Sequence, residues 1–147
     1  MTEPALGGQS GDAATSRTAG CCCGGLKVRL GGDARGVYGC SCTQCQRASG
    51  SIFTYTALFP LDAVLSIEGE HRSWRRTGES GGWIERHFCP QCGSPVFGYA
   101  EGLPGVIQIA VGCLADPDFA PPGRLYWSQH RHGWTAWPQA TRLVVGQ

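Results

Sequence analysis

The chain has 147 residues and a formal net charge of +1, with 23 glycines, 9 prolines and 9 cysteines. The length suits one domain, and the balanced charge argues against a polyanion-binding surface. So much glycine and proline excludes a chain of long helices, and no apolar run reaches the roughly 18 residues of a membrane span.

Residues 1–19 are rich in Gly, Ala, Ser and Thr without apolar periodicity, which predicts a disordered leader. They lack the basic and apolar regions of a secretory signal, so the expected compartment is the cytoplasm, where thiols stay reduced. After Cys21-Cys22-Cys23, residues 26–30 alternate apolar and polar and predict a half-buried strand. Gly31-Gly32-Asp33 is a turn signal, and residues 37–40 form a second strand that delivers Cys40. Residues 43–49 predict a short helical turn with Thr43 as its N-cap. Residues 53–59 are β-branched and aromatic and end at Pro60, a strand pattern. Two more strands, 63–68 and 71–76, flank the Glu68-Gly69-Glu70 turn, and 78–82 is a loop. Residues 83–88 lead into a turn at Cys89, and 95–99 lead away from it. Residues 105–112 are the most strand-like segment, 114–123 is a loop carrying prolines and acids, and 124–127 is a last short strand. The reading is a mainly β fold of short antiparallel strands in one domain over 20–138, followed by a C-terminal tail at 139–147.

Seven of the cysteines fall into three clusters: Cys21-x-Cys23, Cys40-x-Cys42-x-x-Cys45 and Cys89-Pro90-Gln91-Cys92-Gly93. The odd cysteine total and the chelating spacing favour metal over a disulfide framework. Four thiolates close a tetrahedral zinc site, whereas three leave a position open. A metal shared by Cys21, Cys23, Cys89 and Cys92 ties the start of the domain to its middle, and Cys22 is then a spectator. Cys40, Cys42 and Cys45 can address a second ion with no fourth Cys or His nearby in sequence; Cys113 and the four histidines remain distant candidates. An open zinc–thiolate position suits a thiol substrate and an aldehyde. The competing readings are two closed structural sites, or a redox role for the Cys40 cluster.

These motifs resemble the glutathione-dependent formaldehyde-activating enzyme family, which includes centromere protein V. The matching stretches are Gly20-Cys21-Cys22-Cys23-Gly24, then Cys40-Ser41-Cys42-Thr43-Gln44-Cys45-Gln46-Arg47-Ala48-Ser49-Gly50-Ser51, then Phe88-Cys89-Pro90-Gln91-Cys92-Gly93-Ser94-Pro95. Residues 111–117 resemble a further family stretch. The resemblance implies a single-domain β-tent with zinc knuckles. It also implies a structural zinc on Cys21, Cys23, Cys89 and Cys92, and a catalytic zinc on Cys40, Cys42 and Cys45. That gives two zinc ions per chain, the second the more labile. The implied activity is a carbon–sulfur lyase or adduct-forming reaction of glutathione, or a related thiol, with formaldehyde or another small aldehyde. Cys42 is then the thiolate nearest the incoming sulfur. Ser41 stands where the family usually has His, which removes a proton carrier beside the second metal.

Arg47 is a candidate for a substrate carboxylate, set against an ordinary salt bridge. Ser49-Gly50-Ser51 is a candidate for backbone N–H groups at the site, set against simply starting the next strand, and Phe53 and Trp127 are candidate pocket walls set against core packing. His130 and His132 read as surface histidines. The expected partners are a small thiol and an aldehyde, with no nucleic acid and no membrane. A zinc-stabilised binding module and a thiol-redox protein are the rival functions.

Overall fold

The structure is a computed structural model that describes residues 16–147. Strand β1 (Arg17–Gly20) pairs antiparallel with β2 (Lys27–Leu30), with Arg17 opposite Leu30. In β2, Val28 and Leu30 are buried while Lys27 and Arg29 are exposed, as an alternating strand requires. The remaining strands are β3 (Gly36–Cys40), β4 (Thr54–Pro60), β5 (Val64–Glu68), β6 (Arg72–Thr77), β7 (Trp83–Phe88), β8 (Pro95–Ala100), β9 (Val106–Ala110), β10 (Arg124–Tyr126) and β11 (Arg142–Leu143). The one α-helix among the described residues is α1 (Thr43–Ser49). The fold is thus mainly β, as expected.

The strands form two sheets, one ordered β1-β2-β5 and one ordered β11-β10-β3-β4-β9-β8-β7-β6. Their facing side chains make one core. Leu26, Val28 and Leu30 come from the small sheet and its turn; Ala57, Phe59, Val96, Ile107 and Ile109 come from the large one. Ala57 lies opposite Ile109 and Phe59 opposite Ile107, so the centre of the large sheet is stitched by paired apolar side chains. No helix of the described residues is long and apolar enough to cross a membrane.

Four details differ from the sequence reading. Residues 1–15 of the expected leader lie outside the described residues, but Arg17–Gly20 is already a strand. Ala19 is buried, and Arg17 pairs with Asp33 at 3.2 Å; these tertiary contacts leave no mark in local composition. The tail is likewise tied in, because β11 pairs with β10 and Thr141 Oγ donates to the Pro122 carbonyl at 2.7 Å. The strands are not all antiparallel. Strand β10 runs parallel to both β3 and β11, since the long 111–123 connection returns the chain to the far edge of the sheet. Finally, the helix cap is Cys42 rather than Thr43: the Cys45 amide donates to the Cys42 sulfur at 3.3 Å.

The turn between β5 and β6 presses on the first cysteine turn. Gly69 has φ +100, and a Cβ there would lie 1.8 Å from the Gly25 carbonyl oxygen. Only glycine tolerates both demands. Gly69→Ala should lower the melting temperature by about 5 °C or more. An unchanged thermal unfolding curve would contradict the close approach.

Candidate metal centre

Two turns from different sheets bring the first four thiols together. Cys21 and Cys23 sit in the turn joining β1 to β2, where the Gly24 amide donates to the Cys21 carbonyl at 3.0 Å and Gly24 takes φ +80. Cys89 and Cys92 sit in the turn joining β7 to β8, closed by Gly93 N to Cys89 O at 2.8 Å, with Gly93 at φ +77. The four sulfurs all lie within 4.8 Å of one another. Cys21 to Cys23 measures 3.6 Å and Cys23 to Cys89 measures 3.7 Å. Sulfurs placed tetrahedrally at zinc–sulfur bond length are about 3.8 Å apart, so the donor set fits zinc.

The groups around the quartet favour thiolates. The Leu26 amide donates to Cys21 Sγ at 3.1 Å. Ser94 Oγ lies 3.3 Å from Cys92 Sγ and accepts the Cys22 amide at 3.1 Å, so one serine links both turns. The Leu26 hydrogen bond draws the Cys21 thiol below its ordinary range against the pull of burial. Hydrogen bonds from Ser94 bring Cys92 down to about 5. Cys23 goes the other way, to about 12: the Gly25 amide favours its thiolate, but the neighbouring Cys21 and Cys89 sulfurs outweigh that. Four crowded sulfurs resist full ionisation by mutual repulsion, and a divalent cation removes that resistance. Cys22 is exposed. Cys113 stands apart, its thiol donating to the Pro95 carbonyl at 3.3 Å, and burial pushes it up to about 11.

The second cluster is built by one short segment. Cys40 ends β3, Cys42 caps α1 and Cys45 lies in the first helical turn. All three are buried, and their sulfurs lie within 4.8 Å of one another. The Ser41 amide donates to the Tyr126 carbonyl at 3.0 Å, pinning the segment to β10. No His, Asp, Glu or further Cys among the described residues joins this group. His130 stacks on Trp127 and His132 meets Gln46 Oε1 at 3.2 Å; both are exposed, as expected. Ser41 is fully buried and its hydroxyl has no partner.

Two arginines from β6 and β7 reach this trio. Arg86 Nη2 lies 3.5 Å and Arg76 Nη2 3.7 Å from Cys45 Sγ. A hydrogen bond from Cys40, helped by the Arg86 charge, brings Cys45 down to about 5 despite burial. The same hydrogen bond, burial and the Cys45 charge push Cys40 up. Burial also raises Cys42, although the Cys45 amide opposes it. Within the trio these surroundings favour ionisation most at Cys45.

Two cavities share Arg86 in their walls. One, of about 300 Å³, is lined by Tyr38, Cys40, Cys45, Ser49, Arg86 and Tyr126 among others. Tyr38 accepts a hydrogen bond from Gln108 Nε2 at 3.0 Å, and burial, with the nearby Cys45 charge, keeps its phenol protonated. The other, of about 550 Å³, runs past Arg47, Arg76 and Arg86. Of the residues singled out in sequence, Ser49 lines the first cavity and Arg47 the second. Ser49 Oγ donates to the Cys45 carbonyl at 2.8 Å. Phe53 packs edge-on against Trp137 with centroids 4.9 Å apart and lines neither cavity. Trp127 packs against the trio together with Tyr38 and Tyr126. Sequence reasoning missed Tyr38, Arg76 and Arg86. The signal was available for Arg86: Ile84, Arg86 and Phe88 share one face of β7, and a charge inside an apolar face needs a partner.

A family model described as "Glutathione-dependent formaldehyde-activating enzyme" matches residues 16–130 of the chain. A relative from Talaromyces marneffei, provisionally named a glutathione-dependent formaldehyde-activating enzyme, is 30% identical over 73 residues. The match covers 50% of this chain and 38% of that relative, so the chain spans well under half of the relative's length.

Of three consecutive cysteines, Cys21 and Cys23 join the quartet and Cys22 lies outside it. Cys23→Ser should lower the melting temperature by about 10 °C or more, since metal binding is folding energy at such sites. Cys22→Ser should melt within a degree or two of the parent. Equal effects of the two changes in a thermal unfolding assay would overturn the assignment.

Proposed function

Because the chain belongs to the glutathione-dependent formaldehyde-activating enzyme family, we propose that it joins glutathione, or a related thiol, to formaldehyde or another small aldehyde. In that reaction the thiol sulfur forms a carbon–sulfur bond to the carbonyl carbon, and the thiol proton ends on the carbonyl oxygen. The reverse direction is a carbon–sulfur lyase step. Cys21, Cys23, Cys89 and Cys92 would hold a structural zinc. Cys40, Cys42 and Cys45 would hold a second, more labile one.

The single observation that carries this reading is the contrast between the two groups of sulfurs. The quartet is complete for a tetrahedral ion, while the trio is buried, lacks a fourth donor among the described residues and presents Cys40 and Cys45 to the smaller cavity. Zinc held by the trio supplies an open position that favours a thiolate at neutral pH. The chain's own residues do the rest. Arg76 and Arg86 hold negative charge at Cys45. Tyr38 keeps its proton and accepts from Gln108, and its O–H would donate toward a carbonyl oxygen in the smaller cavity. Ser41 brings no titratable proton carrier, which places more of that task on Tyr38. The aromatic walls of Tyr38, Tyr126 and Trp127 limit water at the trio. All nine cysteines are free thiols, which suits a reducing cytoplasm. The near-neutral charge does not favour nucleic acid as a partner.

Cys42→Ser is the decisive variant. Serine is itself a good N-cap, so α1 should form and the melting temperature should stay within about 3 °C of the parent. Adduct formation, followed by NMR exchange between free and hydroxymethylated thiol, should fall to the spontaneous rate. Turnover that persists above that rate would refute the assignment of the trio to catalysis.

A further inference from the structure

The larger cavity carries three arginines that no carboxylate of the described residues pairs with. Its walls include Arg47 from α1, Arg76 from β6 and Arg86 from β7, over apolar surface from Trp74, Phe88 and Pro95, and no acidic residue lines it. The strand register explains the grouping. Trp74 lies opposite Arg86 and Arg72 opposite Phe88, so Trp74, Arg76, Arg86 and Phe88 share one face of the β6–β7 ribbon. The other face satisfies itself: Arg75 pairs with Glu85 at 3.0 Å and lies over the Trp83 ring at 4.0 Å.

On the cavity face the guanidinium groups meet only neutral oxygen acceptors and the Cys45 sulfur, and no carboxylate. Arg76 donates to the Gln44 side-chain oxygen, to the Thr77 carbonyl at 3.2 Å and to Cys45 Sγ. Arg86 donates to Cys45 Sγ. The Nε atoms of Arg76 and Arg86 are buried with no hydrogen-bond partner. Among the described residues no carboxylate forms an ion pair with Arg47, Arg76 or Arg86. Three like charges around one groove repel, and burial strengthens the repulsion. An anion of forked geometry relieves it, because guanidinium matches carboxylate. A cavity of about 550 Å³ is within the range of small-molecule sites. Since Arg76 and Arg86 also touch Cys45, a single molecule bearing both a thiol and a carboxylate can address the trio and the groove together.

We propose that the groove between α1 and the β6–β7 ribbon is the specificity site for a carboxylate of the thiol substrate, with Arg47 and Arg76 as its main contacts. The site thereby selects acidic thiols such as glutathione over neutral ones. This rests on the function proposed above, and its test is separable from that reading. Isothermal titration of the zinc-loaded protein with S-methylglutathione, which has no free thiol, reads the groove alone. The ligand should bind saturably to the parent and at least tenfold more weakly to Arg47→Gln and to Arg76→Gln. Its diethyl ester should bind the parent as weakly as the acid binds the variants. Arg47 is exposed on α1, so its variant keeps the test decisive if Arg76→Gln unfolds. Equal affinity for acid and ester, unchanged binding in folded variants, or no binding at all would overturn the proposal. Adduct-forming turnover with carboxylate-independent binding would remove the groove and keep the enzyme, whereas carboxylate-dependent binding without turnover would keep the groove and remove the enzyme.

Discussion

The structure depends on four sulfur atoms converging from two turns that are distant in sequence. Cys21 and Cys23 belong to the small sheet, Cys89 and Cys92 to the large one, and Cys21 and Cys89 are both part of the shared core. Closing so long a loop costs chain entropy, and a metal clip offsets that cost where a small β domain has few other means. The same convergence of sulfurs lies at the far end of β7. Arg86 lies only three residues before Cys89 on that strand, so the quartet that holds the sheets together also sets the position of a cation beside the second cluster.

The second cluster follows opposite rules. Its thiols come from one short segment, so it needs no long-range closure to form. It depends on long-range charge instead: the Cys45 sulfur faces guanidinium groups from two other strands. A buried thiolate is costly alone and tolerable beside an unpaired arginine. The guanidinium groups favour negative charge at Cys45, and the smaller cavity reaches Cys40 and Cys45. The two clusters thus differ as a closed set of four donors and an incomplete set of three.

Much of this was legible in the residues. The strands from 26 to 110 fall close to where alternation and turn signals put them, because half-buried strands print their pattern locally. The cysteine groups were legible for the same reason, since chelating spacing is a local property. What local pattern cannot carry is partnership across the fold. Arg17–Gly20 looks polar and unpatterned, yet it is a strand because β2 and Asp33 hold it. The tail at 139–147 is held by β10, whose parallel pairing no hairpin signal announces. Arg76 and Arg86 lie 31 and 41 residues from Cys45, and only the register of β6 on β7 brings them onto one face. The arginines beside Cys45 are likewise outside the reach of spacing.

The most direct test of the account is zinc content measured together with the zinc-edge X-ray absorption of freshly purified protein. The account predicts about two zinc ions per chain in sulfur-dominated shells, one with four sulfurs and one with three sulfurs plus a lighter atom. A metal-free protein that keeps its fold, or cystine bridges between the clustered cysteines, would contradict it.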